Sequence, residues 1–273
     1  MQKFSVLMSV YAKEKPDYLH RAIQSIWDDQ SVKPDQIILV QDGPLTDELH
    51  KIIKIWDNKL NNKFKNIILN KNVGLGDALN SGIQACSYEL IARMDTDDIA
   101  SKDRFTKQLA IFQEQEIDIC GSWVSEFDTD ENHITSFRKV PEHHNKIVEF
   151  SKKRNPLNHP AVMYKKSAVQ KAGGYIRMTW FEDYYLWSRM LLAGARVYNI
   201  QEPLVNMRAG YSQLERRKGF QYAYQEFIFQ KRLLKIGFIN KTEFMKNIAI
   251  RLSVRILPRK MVTILYNKIR NIE

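Results

Sequence analysis

The chain has 273 residues, 44% of them apolar and 27% charged, with 11 Gly and 8 Pro, which excludes wholesale disorder, collagen and disulfide-scaffold classes. Two cysteines, Cys86 and Cys120, are too few for a disulfide framework and fit a reducing compartment, and the length suits one large α/β domain with an extension, or two small domains. Of the net charge of +11, residues 214–273 carry +10, with 14 Lys/Arg against 4 Asp/Glu, so the body lacks the spread of basic residues expected around the cleft of a nucleic-acid enzyme.

In chain order, residues 4–10 open as a buried strand. They could be misread as a signal-peptide core, but no small-residue cleavage site follows and a polar helical stretch begins at once. Leu19, Ala22, Ile23, Ile26 and Trp27 fall at helical spacing behind Pro16 and Asp17. Residues 37–40 read as a second strand, Ile52, Ile53, Ile55 and Trp56 as a further helix, and residues 67–69 as a third strand. Leu75, Ala78, Leu79, Ile83 and Cys86 mark another helix, and residues 90–94 a fourth strand. This alternation predicts a mostly parallel sheet flanked by helices, with right-handed crossovers. Ligands of such sheets bind beyond the carboxyl ends of the strands.

That edge should therefore collect the polar residues after each run: Tyr11, Asp42, Asn72, Asp95, Asp97 and Asp98. Three carboxylates in Asp95-Thr96-Asp97-Asp98 repel one another, and a divalent cation relieves them. Magnesium or manganese suits hard carboxylates with no Cys or His pair nearby, and such ions fill their remaining positions with phosphate oxygens and water. The plain alternative is a turn in which Asp98 caps the next helix, which carries Phe105, Leu109 and Phe112. Asp42 is either a turn residue before Gly43-Pro44 or a carboxylate accepting the imide N–H of uracil. Asn72-Val73-Gly74 is a helix entry whose backbone can approach ribose or phosphate.

Glu182-Asp183 opens a helix with Tyr184, Leu186, Trp187, Met190 and Leu191 at helical spacing, and acids there suit the helix dipole. Trp180 lies in the aromatic company around the pair, and such faces suit sugar rings as well as cores. His159, before an expected strand at residues 161–164, fits a hydrogen-bonded structural histidine, with acceptor contact as its functional alternative. The acids of residues 126–131 with His133, and the pair His143-His144, lack metal spacing and read as solvated loops.

Together these residues resemble the family-2 inverting glycosyltransferases of GT-A fold from bacterial surface-polysaccharide and O-antigen synthesis. The likeness runs in order from residue 4 to residue 212. It takes in the opening strand through Ala12, Asp42-Gly43, Asn72-Val73-Gly74 with Ala78, Asn80 and Gly82, and Asp95-Thr96-Asp97. Asn158-His159-Pro160, Glu182-Asp183 with Leu186-Trp187, and Glu202-Pro203-Leu204-Val205 complete it. Departures are Ser9, where a proline is frequent, Ala12, where an asparagine is frequent, Asp77 in the helix after the third strand, and the lack of a histidine near Arg208 to Tyr211.

The resemblance implies transfer of a hexose from a UDP-sugar to a lipid-diphosphate-linked saccharide with inversion, giving a β-linkage. Under it, residues 1–212 form the catalytic domain. Ser9, Tyr11, Asp42, Asn72, Gly74, Asp95 and Asp97 contact the donor, and Asp97 with Asp95 holds Mn2+ or Mg2+. Asp183 is the general base, Glu182 positions a substrate, and Trp180 and His159 contact the acceptor.

Residues 213–273 read as a basic amphipathic tail. Phe220, Phe227, Phe229, Leu233, Leu234, Ile236 and Phe238 lie among Arg216, Arg217, Lys218, Lys231, Arg232 and Lys235, and Ile248, Leu252, Ile256, Met261 and Leu265 follow around Pro258. Such a segment lies on an anionic membrane, placing the protein at the cytoplasmic face of the inner membrane with no nucleic-acid partner. Helices packed on the body with a solvated basic face are the simpler alternative. A sugar-phosphate nucleotidyltransferase and a non-enzymatic basic binding module are the rival functions.

Overall fold

The computed structural model describes residues 2–209 and 219–256. Chain contacts separate two units: one holds residues up to 177 together with 182–209, the other residues 178–181 with 219–256. In chain order the elements of the first unit are β1 (Phe4–Val10), α1 (Pro16–Trp27), β2 (Gln36–Gln41), α2 (Asp47–Leu60), β3 (Phe64–Ile68), α3 (Leu75–Ala85), β4 (Leu90–Arg93), β5 (Ile99–Ala100), α4 (Arg104–Glu114), β6 (Ile119–Phe127), β7 (Ile134–Arg138), α5 (His144–Ser151), β8 (Met163–Lys165), α6 (Lys166–Lys171), α7 (Glu182–Leu192) and β9 (Val197–Arg208). The second unit contributes α8 (Phe220–Lys235) and α9 (Lys241–Ile256).

The sheet runs β3-β2-β1-β4-β8-β6-β9-β5, with β7 beside β6. The first four strands are parallel neighbours, and β8 then runs against both β4 and β6. β6 and β9 thereby regain the direction of β1, so the parallel expectation holds for the half that carries the first four loops and mixes beyond it.

Alternation along the strands explains the two-sided core. Phe4, Val6, Met8 and Val10 of β1 pack with residues of α1, α2 and α4, while Leu7 packs with Ala78, Leu79 and Ile83 of α3 and with Trp187 of α7. A Cβ on Gly82 would stand 2.3 Å from Leu7 Cδ1 and 2.8 Å from Val40 Cγ2, so glycine there lets α3 lie close on the sheet.

Several local expectations change. The third strand spans Phe64–Ile68 rather than residues 67–69, because it is an edge strand whose outer side chains stay wet, with Ile68 66% exposed. Asp98 caps no helix: α4 begins after Asp103, and β5 intervenes. Residues 159–161 form a 3-10 turn, and strand pairing starts only at Met163. Glu126 is a buried member of β6 ion-paired to Arg138, not a loop acid, and His144 begins α5.

In the second unit, Phe229, Leu233 and Phe238 are buried rather than surface-forming, and Phe181 stacks on Phe229 at 4.7 Å. Between the helices Glu226 pairs with Arg251, and the Asn247 amide donates to Gln230 Oε1 at 3.0 Å. A reciprocal capping box between Asn240 and Glu243 starts α9. Expectations at Tyr211, Arg216, Arg217, Lys218, Pro258, Met261 and Leu265 lie outside the described residues. No helix among those described is long and apolar enough to cross a membrane.

Candidate active site

The parallel half of the sheet brings the loops after β1, β2, β3 and β4 to one edge. Ser9 ends up half-buried near the end of β1, and Tyr11 stands just beyond it, 42% exposed. Asp42, buried after β2, stitches two loops together: Val73 N–H donates to its Oδ1 at 2.7 Å and Gly74 N–H to its Oδ2 at 3.1 Å. The Asn72 amide donates to the Asp42 carbonyl at 3.2 Å. Gly43 has φ of +87°, and a Cβ there would lie 2.6 Å from Asn72 N, so only glycine allows this approach. Each carboxylate oxygen keeps a further lone pair for a ligand N–H.

At the end of β4, the fully buried Arg93 is ion-paired to Asp95 of the loop that follows. Burial opposes the Asp95 charge, yet the Arg93 guanidinium outweighs it and holds the carboxyl below its ordinary range. Asp97 is pushed up to about 7, by burial first and then by the charges of Asp95 and Glu14. Asp98 is buried and pushed well up by burial and by Asp97 and Asp95, while Arg208 N–H donates to its Oδ1 at 2.8 Å. Among the described residues no group of three or more His, Cys, Asp or Glu side chains is placed to hold a metal ion. A half-buried carboxylate whose charge is opposed by burial and by like charges is nonetheless the donor chemistry a hard divalent cation takes, with phosphate oxygens as its other ligands.

The acidic pair sits at the first turn of α7. The Asn155 amide donates to Asp183 Oδ2 at 2.7 Å. The loop that carries Asn155 is strapped to the sheet: Asn158 donates to the Ser122 carbonyl at 2.8 Å and Asn199 to the Pro156 carbonyl at 3.2 Å. Glu182 packs near Gly76 of α3, where a Cβ would lie 3.5 Å from its Cγ. Asn80 of α3 makes two bonds of 2.8 Å with the Tyr175 backbone, one as donor and one as acceptor. The helix behind the donor-side loop and the segment leading to α7 are thus joined.

His159 feels the charges of both groups of acids. Its Nε2 meets the Tyr175 hydroxyl at 2.8 Å. Burial and the Arg93 charge lower its pKa to about 4, against opposing pulls from Asp183 and Asp95. Both carboxylates therefore act on one neutral imidazole. Trp180 belongs to the second unit, where it adopts φ of +69° and stacks on Tyr222 at 5.2 Å.

Sequence reasoning passed over Arg93, Asn155, Glu14 and the part played by Arg208. Arg93 left a signal, since a charged residue inside an apolar strand needs a buried partner. Arg208 donates from Nε to the Asp97 carbonyl at 3.2 Å, and its guanidinium lies over the rings of Tyr18 and Phe127 at 3.8 Å and 4.5 Å. It clamps the Asp97-Asp98 loop where relatives were expected to offer histidine.

Comparison with known proteins gives the family and the fold. Residues 5–182 match the model of glycosyl transferase family 2. The chain is 39% identical over 98% of its length to a UDP-Gal:alpha-D-GlcNAc-diphosphoundecaprenol beta-1,3-galactosyltransferase of Escherichia coli, covering 96% of that protein. It is 36% identical over 98% of its length to the amylovoran biosynthesis glycosyltransferase AmsE of Erwinia amylovora, covering 99% of it. Among solved structures, S. aureus TarS 1-349 in complex with UDP-GlcNAc superposes with a TM-score of 0.66 at 18% identity, over 92% of this chain and 72% of that one. The Pyrobaculum calidifontis mannosyltransferase PcManGT in complex with GDP-Man and Mn2+ gives 0.64 at 11% identity, over 90% and 68%. The fold is that of the GT-A glycosyltransferases. The chain belongs to glycosyl transferase family 2.

Proposed function

We propose that this glycosyltransferase moves a hexose from a UDP-sugar to a saccharide borne on a lipid diphosphate, inverting the anomeric carbon to form a β-linkage in bacterial surface-polysaccharide synthesis. The observation that supports it most is the surroundings of His159, which meets the Tyr175 hydroxyl at 2.8 Å and feels the charges of both Asp95, after β4, and Asp183, on α7. The activity of the Escherichia coli relative, matched over nearly the full length of both chains, supports the substrate classes.

In this reading residues 1–212 form the catalytic domain. Asp42, Tyr11, Ser9, Asn72 and Gly74 line the nucleoside side, and Asp95 meets the ribose or donor sugar. Asp97, with Asp95 close by, would hold Mn2+ or Mg2+, which supplies charge neutralisation for the departing nucleoside diphosphate. Asp183 takes the proton of the acceptor hydroxyl as its oxygen bonds to the anomeric carbon and the bond from that carbon to the diphosphate breaks. An ordinary carboxylate suffices at neutral pH, because the hydroxyl becomes acidic only as the new bond forms. Asn155 aims the base, Glu182 positions a substrate, and neutral His159 is suited to hydrogen-bond an acceptor hydroxyl. A lipid-linked acceptor sets the enzyme to work at the cytoplasmic face of the inner membrane.

Purified protein assayed against a panel of nucleotide sugars with a lipid-diphosphate GlcNAc acceptor should select a UDP-hexose. Asp183→Asn should lower kcat by about 10²–10⁴-fold with UDP affinity unchanged; wild-type turnover by that variant would remove Asp183 as base. Chelation should stop transfer and manganese or magnesium restore it, whereas activity indifferent to chelator contradicts the metal assignment.

A further inference from the structure

We infer that the outer face of α8 is a membrane-docking surface, in which Phe220, Tyr224 and Phe227 enter the headgroup region of an anionic bilayer and the surrounding lysines and arginine engage lipid phosphates. The inference rests on the lipid-linked acceptor proposed above and adds to it the residues that make the contact.

α8 is apolar on two sides. Its inner stripe, Tyr222, Phe229 and Leu233, is buried within the second unit. Its outer stripe follows the spacing i, i+4, i+7: Phe220 is 88% exposed, Tyr224 55% and Phe227 39%. A water-facing helix ordinarily carries polar residues at such positions, so three aromatic side chains in a row mark a face built for a partner. On α9, Met245 and Ile250 are also exposed, at 64% and 62%.

Charge selects the partner. Lys231 stands one turn beyond Phe227 on the same stripe, and Arg232 and Lys235 of α8 and Lys241 and Lys246 of α9 are exposed as well. The two acids of the hairpin are both engaged inside the unit. Glu226 is 1% exposed and bonded to Arg251, and Glu243 closes the capping box with Asn240. α8 thus offers an aromatic stripe that continues into Lys231 and is flanked by Arg232 and Lys235, the composition of an interfacial helix. Exposed aliphatic side chains on the neighbouring α9 favour a bilayer over single-stranded nucleic acid, whose bases need stacking faces.

The test uses the full chain in co-sedimentation with vesicles of phosphatidylcholine, with and without phosphatidylglycerol. Wild-type protein should partition onto the anionic vesicles and lose most of that binding in high salt. The triple variant Phe220→Ser, Tyr224→Ser, Phe227→Ser should bind about tenfold more weakly or worse, with an unchanged circular dichroism spectrum. Lys231→Gln with Arg232→Gln and Lys235→Gln should do the same through charge alone, a second route if the serine variant misfolds. Equal binding to neutral vesicles, undiminished binding by folded variants, a dimer in solution that the serine variant abolishes, or RNA that displaces vesicles would each overturn the proposal. The serine variant should retain wild-type transfer to a short-chain water-soluble acceptor, so failure of docking is separable from failure of the transferase reading.

Discussion

Arg93 and Asp95 show how one buried charge sets its neighbours. Arg93→Met leaves Asp95 facing Asp97 and Asp98 without its cation, and should cost about 3 kcal/mol in urea denaturation, less than a fully buried pair because Asp95 is 31% exposed. Adding Asp95→Asn should recover part of that loss. Asp97, raised to about 7, holds a proton in the cation-free folded protein that the unfolded chain has released above about pH 4. The stability this group contributes is therefore present below that pH and disappears as pH climbs through 7. Asp97→Asn should flatten this fall between wild type and variant, measured by denaturation across the range. His159 has the opposite sense: with its pKa lowered to about 4, stability grows as pH rises from there toward the unfolded value of about 6.5. Its ring resonances should stay those of a neutral imidazole down to about pH 5, and an NMR midpoint near 6.5 would contradict the burial described.

Among elements, the buried runs of β1, β2 and β4 were readable because an apolar strand between helical stretches has few other solutions. β3 was misjudged because an edge strand obeys pairing more than burial, and β8 because Pro160 delays its start. The acids of the candidate site were legible as types and positions. What ties them together was not, since Asn155 to Asp183, Asn80 to Tyr175 and Arg93 to Asp95 depend on tertiary approach. Gly43→Ala tests one such approach: it forces a side chain against Asn72 N at a left-handed φ and should cost about 2 kcal/mol or more, with weaker UDP binding by calorimetry.

For the molecule as a whole, the sequence separated a near-neutral body from a basic end, and the structure divides into two units near the same place. It could not say which aromatic residues of α8 turn inward, because both stripes of that helix are apolar and only packing chooses between them. Family membership displaces the nucleotidyltransferase and non-enzymatic readings. Anyone wishing to exchange the loops after β2 and β3 to test the proposed nucleotide site inherits a constraint from Asp42. Its side chain is the fastener between two segments distant in sequence, so transplanting either from a homologue, without its mate, would leave the graft unlatched.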